Sequence, residues 1–143
     1  MFEQKNLPQG VRTIMSAELT NIDRADDWLT DYLAQKHWPI DIFAMRILLR
    51  EALLNAVTHG SGEDPAKMVE MDIVVGEQKL TMIVRDEGEG FIWNPDAWVD
   101  ISELDEGGRG LSLMQLYSDV MIYNEKGNQV TLEKCFAMMT SRS

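Results

Sequence analysis

The sequence holds one cysteine in 143 residues, Cys135. It can form no internal disulfide and has no CxxC partner, which fits a reducing cytoplasm. Cys135 therefore reads as a strand residue without chemistry. No apolar run reaches the roughly 18 residues that span a bilayer, and "MFEQKNLPQG" at the start lacks the basic and apolar parts of a signal peptide. Positive charge is scarce: 13 Lys and Arg stand against 24 Asp and Glu, a net charge of −11. Such a chain repels phosphate backbones and anionic membranes, so neither direct nucleic-acid binding nor membrane binding is expected. There are only two histidines, and HExxH is absent, which argues against a zinc centre. No repeat or low-complexity linker divides the chain. One domain, 1–143, is expected.

What is present suits a packed core, since 45% of the residues are hydrophobic. "VRTIMSAEL" alternates as a first strand. "NIDRADDWLTDYLAQKHW" places Ile22, Ala25, Trp28, Leu29, Tyr32 and Leu33 at helical spacing behind an Asn21 cap. Pro39 closes that helix and opens the next, which runs to about His59. After the turn-rich "GSGEDPAK", "MVEMDIVV" and "KLTMIVRD" alternate as a hairpin. Residues 92–106 show no period and hold Trp93 and Trp98, which reads as a lid or binding loop. "GLSLMQLYSD" reads as a short helix and "VMIYNEKGNQVTLEKCF" as a last hairpin. The expected fold class is an α/β two-layer sandwich: a mixed, mostly antiparallel sheet with helices on one face.

Three local patterns carry chemistry. In "REALLNAVTHG", the polar residues Glu51, Asn55 and His59 recur every four positions. At 100° per residue they drift about 40° per step and form one stripe about 80° wide. Phe43, Ile47, Leu48, Leu49, Leu53, Leu54, Ala56 and Val57 fill most of the remaining circumference, as in a buried helix. Buried polar groups need partners. The stripe therefore lines a polar cavity or binds a ligand, unless it is the wet face of an ordinary amphipathic helix. In "RDEGEGF", Asp86 is in phase with Leu80, Met82 and Val84, so its carboxylate points to the core face. Gly88 and Gly90 would admit close approach of a ligand, although a plain turn has the same composition. In "EGGRGLSL", Gly107, Gly108 and Gly110 precede the short helix, where free backbone N–H groups bind phosphate well; a flexible hinge is the alternative.

The order of these boxes resembles the nucleotide pocket of the GHKL superfamily of ATP-binding proteins, with its Bergerat-type fold. "EALLNAVTHG", "DEGEGF" and "GGRGLSLM" are most similar to the small anti-sigma-factor serine/threonine kinases, over about residues 7–135. The resemblance implies a catalytic carboxylate at Glu51 and a Mg²⁺ ligand at Asn55. It implies that Asp86 bonds the adenine amino group, that Gly88 and Gly90 make room for the base, and that Gly108 and Gly110 give N–H groups to the phosphates. Arg109, between those glycines, is a candidate phosphate contact or an exposed arginine. The resemblance assigns no chemistry to His59. It implies ATP and Mg²⁺ as cofactors, an ATP lid near 92–106, and a homodimer. The implied partners are a STAS-type anti-anti-sigma protein, the phosphorylation substrate, and a sigma factor. Two other readings remain: an ATP-dependent binding module without useful kinase activity, and a kinase whose pathway has a non-transcriptional output. A sensor histidine kinase is disfavoured, because no histidine precedes Glu51 in the expected way and the chain leaves no length for a phosphoacceptor hairpin.

Overall fold

Alternation in the two central strands decides where the helices lie. Strands β3 (Met68–Val75) and β4 (Lys79–Asp86) pair antiparallel, with Met71 opposite Val84 and Ile73 opposite Met82. Val69, Met71, Ile73, Leu80 and Met82 all bury one face completely. The computed structural model describes residues 1–89 and 106–136. Within them β1 (Phe2–Leu7), β2 (Gly10–Ser16), β5 (Val120–Tyr123) and β6 (Gln129–Cys135) complete one sheet of order β1-β2-β3-β4-β6-β5. Every pairing among the described residues is antiparallel. Helices α1 (Leu19–Lys36), α2 (Ile42–Leu54) and α3 (Glu106–Tyr117) make the second layer. Leu29, Leu48, Leu49, Leu53 and Met114 share one core with the inward strand residues. The expected two-layer α/β sandwich is the fold observed. The expected lid lies outside the described residues, apart from Glu106 at the start of α3, and so do Trp93 and Trp98.

Several local expectations need correction. The N-terminal segment is a hairpin, not a single strand: Phe2 pairs with Met15 and Leu7 with Gly10. β1 is an edge strand with four of its six residues exposed, so it needs no apolar alternation and gives no signal of one. Asn21 does not cap α1. Glu18 occupies that position, while Asn21 is buried in the first turn and its Nδ2 donates to the Ser16 carbonyl at 2.9 Å. The amide ties the helix to the end of β2. Pro39 neither closes nor opens a helix. α1 stops with His37 in the left-handed region, φ 58°, and α2 starts after Asp41, whose carboxylate accepts the Ala44 N–H at 3.0 Å. Nor is α2 buried all round, since Phe43 is 61% and Leu54 38% exposed.

Two buried carboxylates that periodicity did not single out brace the layers. Asp26 on α1 accepts from Arg46 Nε at 2.9 Å and Arg50 Nη1 at 2.9 Å, both on α2. Asp72, on the sheet face away from the helices, accepts from Arg12 Nε at 2.8 Å and Arg85 Nη1 at 3.2 Å. Burial pushes both carboxyls up, but the arginines outweigh it and hold both below the usual carboxylate range.

A carboxyl depressed by folding contributes stability above its unfolded pKa of about 3.9, and that contribution is lost as pH falls through the folded value. The urea midpoint should therefore drop as pH is lowered below about 4. Asp26→Ala should cost roughly 1.5–3 kcal/mol at neutral pH, the range for a hydrogen bond to a charged group. It should also flatten the acid limb. A variant whose acid limb matches that of the unmutated protein would exclude Asp26 as a source of this pH dependence.

Candidate functional site

The helix that bears the polar stripe changes its winding at the residue of interest. α2 carries Glu51 in regular α geometry, and the Asn55 N–H still bonds the Glu51 carbonyl. From Asn55 to Gly60 the backbone is π-helical. The Ser61 N–H reaches back five residues to the Ala56 carbonyl at 2.9 Å, and Thr58 Oγ1 donates to the Leu54 carbonyl at 2.6 Å. A π turn holds more residues than an α turn, so the 100° rule no longer applies beyond Asn55. Glu51 and Asn55 remain half-buried, while His59 is exposed. The three-residue stripe thus reduces to two.

The wider turn delivers Gly60 to the end of β4. A Cβ built on Gly60 would lie 2.4 Å from Asp86 Oδ2 and 2.6 Å from Oδ1. The Gly88 N–H donates to Asp86 Oδ1 at 2.7 Å, and a Cβ on Gly88 would lie 2.0 Å from the Gly60 carbonyl oxygen. Gly60, Asp86 and Gly88 therefore pack with no room for another side chain. The sequence reading placed Asp86 on the core face, and its contact with Gly60 of the helical layer agrees. From the far side, the Asn128 carbonyl accepts the Asp86 N–H at 3.0 Å, and Asn128 Nδ2 donates to the Gly88 carbonyl at 3.4 Å. The β5–β6 turn thus braces the glycine loop.

Tyr123 was not singled out from sequence. It ends β5 opposite Val130 and is 9% exposed. Its signal was the alternation of "VMIY", which puts Tyr123 in phase with Met121 on the core face. Burial pushes its phenol up to about 12; the polar side chain of Asn55 lowers it, and the Asp86 charge raises it.

The electrostatics of this corner are opposite to those of the braces. Burial raises the Glu51 carboxyl, with Arg50 opposing, and burial raises the Asp86 carboxyl, with the Gly88 N–H, Lys126 and Lys67 opposing. Carboxyls whose ionisation is disfavoured by burial, where the helical layer meets the end of β4, point to a site kept for something other than stability. The remaining candidates lie less centrally. Gly90 is outside the described residues, as is the side chain of Arg109. Gly107 and Gly108 do not precede α3 but form its first turn, and Gly110 lies in the second. First-turn N–H groups have no intrahelical partner, whereas that of Gly110 is used by the helix. Among the described residues, no three His, Cys, Asp or Glu side chains converge as a metal cluster, and no helix is long and apolar enough to cross a membrane.

Comparison with known proteins shows the family. The family model described as a histidine kinase-like ATPase domain matches residues 15–134. The anti-sigma F factor of Geobacillus stearothermophilus is 26% identical over 132 residues, covering 87% of this chain and 82% of that protein. That of Geobacillus thermodenitrificans is 30% identical over 130 residues, covering 85% and 89%. The serine-protein kinase RsbW of Bacillus subtilis is 35% identical over 105 residues, covering 66% and 64%. With the sheet, the glycine-walled Asp86 and the Glu51–Asn55 pair on the page, the chain belongs to the histidine kinase-like ATPase domain family, among its GHKL anti-sigma kinases.

Proposed function

We propose that this protein binds Mg·ATP between the C-terminal part of α2, the π-helical segment and the end of β4. It transfers the terminal phosphoryl group to a serine or threonine of a STAS-type anti-anti-sigma protein. In this reading it is a cytoplasmic regulator that exchanges that antagonist for a sigma factor. The observation that carries the proposal is the packing of Asp86 against Gly60 and Gly88, one helical step from Asn55. It leaves a carboxylate acceptor beside side-chain-free backbone, which suits a flat base carrying an amino group. The relatives named as anti-sigma F factors and a serine-protein kinase support the choice of partners and reaction.

Each residue has a role that follows from its chemistry. Asp86 accepts from the adenine amino group; Gly88, packed against Gly60, holds Asp86 Oδ1 through its N–H, and Gly90 leaves space for the ring. Asn55 offers its amide oxygen to the metal. Gly108 presents an N–H from the first turn of α3, where the helix has none of its own partners to offer it. Gly110 can do the same if that turn unwinds, and Arg109 adds a positive charge next to both. Glu51, one α turn before Asn55, takes the proton of the attacking hydroxyl. Its raised pKa moves it towards the range in which a general base works well at neutral pH. Mg·ATP, when bound, supplies the phosphoryl group and neutralises charge on its oxygens.

Glu51→Gln should leave Mg·ATP affinity near normal and reduce phosphate incorporation into the STAS partner by at least about 10²-fold. In the unmutated protein, transfer should fall on acidification with an apparent pKa above the ordinary glutamate value of about 4.3. Transfer that survives Glu51→Gln unchanged would remove this residue from the mechanism. If the unmutated protein binds ATP but phosphorylates no STAS partner, the binding-module reading replaces the kinase. Asp86→Asn should weaken ATP binding by roughly 1–3 kcal/mol, measured by calorimetry. Because burial disfavours the Asp86 charge, the same variant should be no less stable to urea without nucleotide. Loss of stability in parallel with binding would make Asp86 a structural residue.

A further inference from the structure

The ladder between β4 and β6 ends at Arg85 opposite Gln129, one residue short of Asp86. Past that point, Asp86 and Gly88 are held by the turn between β5 and β6, which one exposed side chain organises. Asn124 Oδ1 accepts from the N–H groups of Gly127, Asn128 and Gln129 at 2.7, 3.0 and 3.2 Å, and its Nδ2 donates to Asn128 Oδ1 at 2.8 Å. Asn124 cannot be reversed, because its NH₂ would then face three donors. Asn128 is oriented by it. With its oxygen engaged by Asn124, it offers Nδ2 to the Gly88 carbonyl at 3.4 Å. The Gly88 N–H donates to Asp86 Oδ1 at 2.7 Å, and the Asn128 carbonyl accepts the Asp86 N–H at 3.0 Å. Each member of the series Asn124, Asn128, Gly88 thus donates to the next, and the last acceptor is the carboxylate of the site.

We propose that Asn124 is a positioning residue for the base of the nucleotide: by fixing which end of the Asn128 carboxamide faces Gly88, it sets Gly88 and, through it, the Asp86 carboxylate. The inference rests on the reading that Asp86 accepts from the base. Linked hydrogen bonds polarise one another, so losing the first weakens the last. The turn itself is closed by backbone bonds, Asn124 N–H to the Gln129 carbonyl at 2.9 Å and Gly127 N–H to the Asn124 carbonyl at 3.0 Å. Gly127, at φ 82°, supplies the left-handed residue in it. The three bonds accepted by Asn124 Oδ1 reinforce that closure. Its Nδ2 serves Asn128 alone.

The test separates the donor of Asn124 from its acceptor. Asn124→Asp keeps an oxygen for the three turn N–H groups and loses the donor, so the Asn128 carboxamide reverses and sets its oxygen against the Gly88 carbonyl. Amide exchange at Gly127, Asn128 and Gln129 should stay as slow as in the unmutated protein, while the Gly88 amide resonance moves. By calorimetry, ATP and ADP should both bind about 3- to 10-fold more weakly, and by the same factor, because the loss is at the base. Asn128→Ala keeps the backbone carbonyl and should weaken both by a similar factor. Adding Asn124→Asp to it should weaken them no further. A further loss in the double variant would assign the effect to the added negative charge and overturn the inference. So would full nucleotide affinity in folded Asn124→Asp or Asn128→Ala. Undiminished affinity in Asp86→Asn would instead overturn Asp86 as the base acceptor, and that variant is measured first.

Discussion

The Asp86 carboxylate occupies a place that exists because two neighbours have no side chain. Gly60 arrives from the helical layer and Gly88 from the loop after β4, and a Cβ on Gly60 would come within 2.6 Å of the Asp86 oxygens. A methyl group at either glycine would collide with backbone or carboxylate, and close-packed interiors yield little to such overlap. Much of the rest follows from this three-way contact. β4 has to end with Asp86 inward, so its register with β3, Val69 opposite Asp86, is fixed. The helix has to reach Gly60 at that height, and the π-helical segment supplies the change of winding that brings it there.

Charge is divided between support and chemistry. Asp26 and Asp72 are almost fully buried, each answered by two arginines, and both are held in the ionised form. They tie α1 to α2 and β3 to its neighbours, the elements that carry Glu51, Asn55 and Asp86. Among the described residues, the carboxylates at the site have no such arginine clamp, and burial pushes them the other way. A carboxyl that resists ionisation weakens the fold slightly and gains reactivity as a base or responsiveness to a ligand. The arrangement places rigidity behind the site and leaves the unfavourable charge inside it.

The exposed apolar residues of the helical layer follow the same division. Phe43 and Leu54 lie on one side of α2, eleven residues and about three turns apart, and Phe43 packs edge-on to Tyr117 of α3 at 6.0 Å between ring centroids. Tyr117 in turn packs against the core. The apolar circumference of α2 is thus only partly buried, which helical periodicity alone cannot distinguish.

Sequence by itself determined the parts of this protein governed by local repetition. Strict alternation in "MVEMDIVV" and "KLTMIVRD" set the central hairpin and turned Asp86 inward, because a strand has only two faces. The three polar and glycine boxes, read in order, identified the family and named the candidate site residues. Tertiary structure decided what depends on contacts between distant segments. β1 carries no alternation, since an edge strand is held by backbone pairing. Asn21 caps no helix because the end of β2 claims its amide. His59 is exposed near the end of the π-helical segment, where the 100° rule no longer applies. Asn128 met Gly88 only once β6 had joined β4, 40 residues further along the chain. Such pairings are set by sheet register and layer packing, and no short window of sequence contains both partners.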